Sequence, residues 1–202
     1  MLSISNDVPG AGESVDLGDR ILAAADSCVR DFGAHRVTLA EIARRAGVSR
    51  PTVYRRWPDT RTILAALLTR RIVAAWDAAW AEAPAEGVSR VALVERIVDV
   101  AARLRDDELI VTVLRSAPDL AMVYIADRLG TSQQILINMV AEQLRKAQAD
   151  NTVRSGDPRQ LATMALLITQ SVIQSAQIVS PILDGNALNA ELSRALNGYL
   201  RP

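Results

Sequence analysis

Residues 38–57 read TLAEIARRAGVSRPTVYRRW, and this stretch decides the fold of the N-terminal part of the chain. Thr38 followed three residues later by Glu41 matches a capping box, in which the two side chains reciprocally satisfy free amides at a helix start. Gly47 then ends the helix, because glycine readily adopts the left-handed conformation that a helix C-cap needs. The pattern predicts a short helix over residues 38–46.

Ser49 begins a second short helix as its N-cap, and a proline in the first turn of that helix is tolerated. At about 100° per residue, Val53 and Trp57 share a face and are expected to pack inward. Pro58 ends the helix, because the residue before a proline resists helical geometry. The outward and flanking positions are Arg50, Pro51, Thr52, Tyr54 and Arg55.

Two helices joined by a short glycine-containing turn form a helix-turn-helix, whose second helix can enter the major groove of DNA. The outward side chains suit that role. Arginine can bind guanine through two hydrogen bonds, threonine offers a methyl or a hydroxyl, and tyrosine can donate to phosphate. The alternative is an ordinary helical hairpin with solvated arginines. The combination of caps, turn glycine and basic outer face favours DNA binding.

The charge distribution supports a phosphate contact at one end of the chain. The whole chain has a net charge of zero, but residues 20–71 carry eleven arginines and four acidic residues, a net charge of +7. Residues 1–19 carry four acidic residues and no basic one, and residues 72–202 carry a net charge of −3. A basic segment joined to a mildly acidic body suits a protein that binds nucleic acid at one end. A solvated arginine-rich surface would have the same charges.

Over residues 16–75 the chain resembles the TetR family of bacterial regulators, and residues 38–57 carry the resemblance. Carried over by position, the resemblance implies phosphate contacts at Thr38 and Tyr54, and base or backbone contacts along the second helix. Trp57 stands where the family usually has Phe and is expected in the core. The predicted DNA-binding residues are Thr38, Ser49, Arg50, Pro51, Thr52, Tyr54, Arg55, Thr60 and Arg61.

One position departs from the family pattern, at the start of the helix predicted from Asp59. Six residues after Tyr54 the family commonly has a lysine that binds phosphate, whereas this chain has Thr60 followed by Arg61. The amides at the helix start could still hold an anion. The lysine contact itself cannot be carried over.

The rest of the chain predicts helices and no strand, so the predicted fold is all-α with about nine helices. A helix over Leu17–Phe32 precedes the motif, and residues 1–15 predict a flexible tail. Residues 16–75 are predicted to form the DNA-binding domain, and residues 76–202 a helical ligand-binding and dimerisation domain. The helices predicted after the motif span residues 59–80, 88–104, 106–115, 118–129, 132–149, 158–180 and 186–200.

Residues 76–202 resemble the family's ligand-binding and dimerisation domain, in which the last two long helices pair with those of a second subunit. Apolar stripes along these helices fit the role, because two helices bury such faces more fully when a partner supplies two more. Each stripe could equally be core within one chain. The predicted interface residues are Leu161, Ile168, Val172, Leu188, Leu192 and Tyr199.

A pocket in this helical body is expected to be mostly apolar with a few fixed polar groups, which favours a small apolar or weakly polar effector. Methionines and aromatic residues could form its wall, and two glutamines one turn apart could supply amides. The same residues could be plain core, and the glutamines could lie at the dimer contact. The candidates are Trp76, Trp80, Met122, Tyr124, Met139, Met164, Gln170 and Gln174.

The sequence argues against an enzyme and against a bound metal or cofactor. His35 is the only histidine and Cys28 the only cysteine, so neither a zinc cluster nor an intrachain disulfide can form. The acidic run at residues 106–108 is better explained by the N-terminus of a helix than by a metal site. We find no secretory signal and no uninterrupted apolar run that would span a bilayer, which predicts a cytoplasmic protein without membrane contact.

These features predict a homodimeric repressor that places two recognition helices into successive major grooves of a palindromic operator. A small molecule bound in the helical body would release it from DNA. Two alternatives stay open. One is an activator or a ligand-independent regulator with the same DNA binding. The other is a helical small-molecule-binding protein without DNA binding.

Overall fold

The computed structural model describes residues 11–81, 89–116 and 130–202, and every regular element in these ranges is helical. This confirms the all-α prediction, while the helix predicted over residues 118–129 lies outside the described residues. A short 3-10 turn covers Ala34–Arg36. The α-helices are α1 (Ala11–Phe32), α2 (Leu39–Ala46), α3 (Arg50–Arg56), α4 (Thr60–Ala81), α5 (Arg90–Asp106), α6 (Glu108–Ser116), α7 (Thr131–Ala149), α8 (Pro158–Val179) and α9 (Gly185–Leu200).

The first helix is longer than the sequence pattern predicts. It begins at Ala11 rather than at Leu17, so residues 11–15, assigned above to a tail, are helical. The apolar periodicity that marks a helix starts only at Leu17, but acidic residues such as Glu13 and Asp16 favour the first turns of a helix, because the N-terminal end of a helix carries a partial positive charge. Residues 1–10 lie outside the described part of the chain.

The chain divides into two compact units, Met1–Leu67 and Leu68–Pro202. The division falls inside α4, which is one continuous helix, and precedes the predicted domain end at residue 75. The boundary between the units comes before residue 75 because Leu68 and Ile72 already pack against the core of the second unit.

In the first unit, α1 packs against α2, and α2 packs against α3. Arg45 of α2 joins these helices through several polar contacts. Its Nη1 donates to Ser27 Oγ at 2.7 Å and to Asp31 Oδ2 at 2.5 Å, and its guanidinium lies 4.8 Å from the ring centre of Phe32. Cys28 is fully buried in the core of this unit, and burial raises the pKa of its thiol.

In the second unit, α5 packs against α6, α7, α8 and α9, and α7 and α8 lie side by side. The C-terminal end of α9 is held by the segment before α8. There Arg154 donates its backbone amide to Leu200 O at 3.0 Å and its Nε to Tyr199 O at 2.9 Å. The buried centre of this unit includes Leu93, Ile97, Ile137, Leu144, Leu161, Leu192 and Leu196.

Helix α8 is long and rich in apolar residues. Its most apolar 18-residue window has a mean hydropathy of 1.3, and by length and composition alone the helix could cross a membrane. It contacts α5, α7 and α9 along its inner side, as a core helix does. Only 22% of its most apolar window is buried, however, and three large apolar side chains of the helix are exposed: Met164, Leu167 and Ile178.

Candidate nucleic-acid interface

The start of α2 forms half of the predicted capping box. Thr38 Oγ1 accepts a hydrogen bond from the amide of Glu41 at 3.2 Å, as predicted. The Glu41 carboxylate is held elsewhere: Arg44 donates Nε to Oε2 at 2.8 Å and Nη2 to Oε1 at 2.7 Å, and Arg45 donates Nε to Oε1 at 3.1 Å. Ionised donors make stronger bonds to a carboxylate than a neutral amide does, which explains the change of partner. Hydrogen bonds from Arg44 and then Arg45 lower the pKa of Glu41 to about 2.

The turn between α2 and α3 has the geometry that the sequence predicts. Gly47 has φ 65° and ψ 35°, the left-handed conformation of a helix C-cap. The amide of the next residue, Val48, donates to Ala43 O at 3.0 Å and closes the turn. A side chain at position 47 would strain this backbone, because L-residues other than glycine and asparagine avoid this region.

Val53 and Trp57, the two residues predicted to pack inward, hold helix α3 against the rest of the first unit. Val53 is fully buried and Trp57 is 7% exposed, which confirms the inward face. Ser49 caps the helix, since its Oγ accepts from the amide of Thr52 at 3.3 Å. The hydroxyls of Ser49 and Thr52 also lie 2.7 Å apart and bond to each other. Thr52 therefore offers mainly its methyl group to a partner.

The outer face of α3 presents the predicted DNA-binding side chains together. Arg50, Pro51, Tyr54 and Arg55 are all exposed, and Tyr54 keeps 47% of its surface accessible. Among the described residues, Arg50 and Arg55 make no hydrogen bond or ion pair, so both guanidinium groups are available to a ligand. Thr38 is exposed at the start of α2. This face therefore presents the guanidinium groups of Arg50 and Arg55 and the phenol of Tyr54 on a helix whose inner side is buried.

The start of α4 differs from the expectation that its amides hold an anion. Asp59 caps this helix, and its Oδ1 accepts from both the amide and the hydroxyl of Thr62 at 2.7 Å each. The Thr62 side chain, followed by its backbone amide, lowers the pKa of Asp59. The carboxylate therefore occupies a place where a phosphate could bind. Thr60 is half-buried and Arg61 is exposed, which leaves Arg61 as the cation at this point.

One basic residue of α3 was missed by the sequence analysis. Arg56 is exposed, and its guanidinium lies 5.4 Å from the ring centre of Trp57 and against Gly18 of α1. Its neighbour Arg55 was assigned to the outer face from the helical wheel, whereas position 56 lies beside the anchor. The helical wheel alone cannot show this contact, because Gly18 is distant in sequence.

The predicted effector residues separate into several groups in the second unit. Trp76 is buried and Trp80 half-buried, and their rings stack with centroids 3.7 Å apart. Met139 packs against the core. Met164 is 44% exposed, so it is not part of an enclosed wall, because its position on α8 turns it outward. Met122 and Tyr124 lie outside the described residues.

The two predicted glutamines are both half-buried on α8. Gln170 is engaged within the chain, since its Oε1 accepts from Gln133 Nε2 of α7 at 2.9 Å. Gln133 Oε1 in turn accepts from the amide of Gly130 at 2.8 Å. Gln170 thus links α7 and α8 rather than presenting a free amide oxygen.

The predicted dimer residues lie mainly in the chain's own core. Leu161, Leu188 and Leu192 are at most 6% exposed, so these three cannot present a surface to a second chain. The remaining three, Ile168, Val172 and Tyr199, are half-buried against the same core. The apolar side chains that α8 does expose are Met164, Leu167 and Ile178.

Comparison with known proteins identifies a family model and near full-length relatives. Residues 21–67 match the model described as bacterial regulatory proteins, tetR family. An HTH-type transcriptional regulator of Mycobacterium bovis is 60% identical over 200 residues, which cover 99% of this chain and 100% of that protein.

Solved structures share the fold at low sequence identity. RolR in complex with resorcinol has a TM-score of 0.71 at 15% identity, over 95% of this chain and 90% of that one. The transcriptional repressor QsdR of R. erythropolis, from the TetR family, has a TM-score of 0.65 at 18% identity, over 94% of this chain and 98% of that one. The likeness extends through both units rather than the N-terminal motif alone.

Proposed function

This chain belongs to the TetR family of DNA-binding transcriptional regulators, and on that premise we propose that it is a homodimeric repressor released from a palindromic operator by a small molecule. The observation that carries the proposal is the outer face of α3. Arg50, Tyr54 and Arg55 are exposed there, while Val53 and Trp57 hold the helix from below. A helix that is already held in place can contact base edges in the major groove with little loss of conformational entropy on binding.

Different contacts would supply affinity and specificity. Arg50 or Arg55, if paired with guanine through two bonds, would discriminate among bases, whereas Thr38, Tyr54 and Arg61 would bind phosphate. Pro51, Ser49, Thr52 and Thr60 would shape the contact through van der Waals packing. Phosphate contacts make the affinity fall steeply with salt.

The outward face of α8 supports dimerisation. Met164, Leu167 and Ile178 expose large apolar surfaces on a helix whose most apolar 18-residue window has a mean hydropathy of 1.3. A second copy of the chain would remove this surface from water, and α8 and α9 of two chains would form a four-helix bundle. In this arrangement the α8 contact uses Met164, Leu167 and Ile178, which the sequence analysis did not choose as interface residues.

An apolar or weakly polar effector is proposed for the second unit, near the stacked rings of Trp76 and Trp80. RolR, which shares the fold, is known in complex with resorcinol, a small aromatic molecule. The effector must bind the DNA-incompetent state more tightly, since a ligand with equal affinity for both states shifts nothing. A coupling of about 1–3 kcal/mol would change operator affinity roughly 5–150-fold. We propose a cytoplasmic location for this regulator.

The test begins with selection of bound duplexes from random-sequence DNA by the purified protein. We expect a palindromic consensus and a complex that weakens steeply with added salt. Recovery of no consensus, together with binding of a small aromatic compound, would favour the alternative of a helical small-molecule-binding protein. A reporter driven by the selected site, with and without the gene, then separates repression from activation.

A further inference from the structure

Arg56 makes an unusual contact with α1. A β-carbon added to Gly18 would lie 2.9 Å from Arg56 Nη2 and 3.0 Å from both Cζ and Nη1. Three atoms of the guanidinium are therefore almost equally close, so the flat face of the group lies against Gly18 rather than pointing at it. The same guanidinium lies 5.4 Å from the ring centre of Trp57.

A glycine at position 18 leaves room for the Arg56 guanidinium, and the helix itself gives no other reason for a glycine there. Gly18 lies inside α1, which runs from Ala11 to Phe32, and glycine weakens a helix interior relative to alanine. Its backbone does not need a glycine, since the described glycines with positive φ are Gly33, Gly47 and Gly156. Its value at this position is the space that it leaves, because any side chain would overlap the Arg56 guanidinium.

We propose that Arg56 is a positioning residue for DNA binding, which ties the C-terminal end of α3 to α1 through Gly18. Helix α3 has seven residues, too few to be stable in isolation. Val53 and Trp57 hold its inner face, and Arg56 adds a lateral contact one residue before Trp57. This contact sets the angle at which α3 presents Arg50 and Arg55.

The competing role for Arg56 is a direct contact with phosphate, which its exposure would permit. The two roles differ in two measurable respects. A phosphate contact depends on charge, so lysine would replace arginine, and its loss would reduce the slope of log affinity against log salt by about one. A positioning contact depends on the flat guanidinium, which lysine lacks, and its loss would leave the slope unchanged.

The experiment uses the full-length protein and a duplex selected from random-sequence DNA by the unmodified protein. Its variants are Arg56→Ala, Arg56→Lys, Gly18→Ala and the double variant Gly18→Ala with Arg56→Ala. Arg145→Ala is the control, because Arg145 is an exposed α7 residue paired with Glu142 and its loss also removes one positive charge. Dissociation constants are measured at several salt concentrations, and circular dichroism monitors helix content and the melting temperature.

The proposal rests on DNA binding, so the unmodified protein must first show a salt-sensitive, sequence-selective complex. Absence of that complex refutes the proposed function itself. Given the complex, we expect Arg56→Ala, Arg56→Lys and Gly18→Ala each to weaken it about two- to five-fold, as befits a stacked guanidinium at an exposed site. The salt slope stays constant, and the double variant is no weaker than Arg56→Ala, because Gly18→Ala acts by displacing the Arg56 guanidinium, which the double variant lacks.

Gly18→Ala is the decisive variant because it keeps the Arg56 charge while it displaces the guanidinium. The displaced atoms are the end of a flexible side chain, so the fold is preserved and the melting temperature should change by no more than about 4 °C. Unchanged affinity in Gly18→Ala overturns the proposal. So does rescue by Arg56→Lys, or a slope that falls by about one in Arg56→Ala. If Gly18→Ala does not fold, the comparison of Arg56→Lys with Arg56→Ala decides the question by itself.

Discussion

Helices α3 and α8 use apolar residues in opposite ways. In α3 both large apolar anchors are buried and the outer face is charged, so its surface suits a polar ligand such as DNA. In α8 the inner face is buried, but large apolar side chains also lie on the outer face, with Leu167 52% and Ile178 82% exposed. The contrast fits the two proposals above: α3 already packs within one chain, whereas the exposed apolar side chains of α8 would pack against a second copy.

The largest effect is expected from removal of an anchor below α3. Trp57→Ala should reduce the free energy of unfolding of the first unit by about 3–5 kcal/mol, because a buried aromatic side chain leaves a cavity. Chemical denaturation followed by circular dichroism measures the loss, and selected-duplex binding should vanish with it. Trp57→Phe is the matched control and should cost less than about 1.5 kcal/mol. An Ala variant as stable as the parent would mean that α3 is not held by this residue.

A charge on the outer face of α8 should have the next largest effect, and on assembly rather than on folding. Leu167→Asp is expected to weaken the dimer by about 2 kcal/mol or more if Leu167 lies at the centre of the contact. Sedimentation equilibrium measures the dissociation constant. Val91→Asp is the control, because Val91 is 48% exposed on α5, outside the proposed contact. Equal dimerisation of both variants would remove α8 from the interface.

The carboxylate at the start of α4 gives a prediction of opposite sign. Asp59→Asn should keep the helix cap, since asparagine and aspartate are equivalent there, while it removes a negative charge. If this end of α4 approaches phosphate, binding to the selected duplex tightens about fivefold, as expected from a charge interaction of about 1 kcal/mol in water. Gel-shift titration at low salt provides the measurement. Unchanged affinity would show that this helix start is remote from DNA.

The smallest effect concerns pH. The folded-state pKa of Glu41 is lowered from 4.5 to about 2, because Arg44 and Arg45 bind its carboxylate. A depressed carboxyl pKa stabilises the folded state fully above pH 4.5, and that contribution is lost as pH falls towards 2. Glu41→Gln should therefore flatten the acid limb of a stability-versus-pH curve for the first unit. Parallel acid limbs in the two proteins would argue against the ion pairs.

The sequence could predict α2 and α3 closely because their determinants are local. Caps at Thr38 and Ser49, the turn at Gly47 and the period of Val53 and Trp57 all lie within a few residues of one another. Their local hydrogen bonds fix the same helix ends in sequence and in structure. The outer face then follows from the helical period alone.

Other parts of the site could not be predicted because they depend on contacts distant in sequence. Apolar residues lie on more than one side of α8, so the helical period alone does not say which of them meet the core, and Leu161, predicted at a dimer contact, is buried within its own chain. The contact of Gly18 with Arg56 joins residues from separate helices. The diversion of Glu41 to Arg44 and Arg45 depends on competition among side chains, which a capping motif does not describe.

Because Cys28 is buried, the reactivity of its thiol can report local opening of the first unit. A thiol reacts as the thiolate, and burial both shields this sulfur and raises its pKa, so alkylating reagents reach it only when the first unit opens. The rate of alkylation therefore measures how often the DNA-binding unit opens, with no label to be added. Since the chain has no other cysteine, a second one engineered on an exposed helix would accept a fluorophore selectively while Cys28 stays protected.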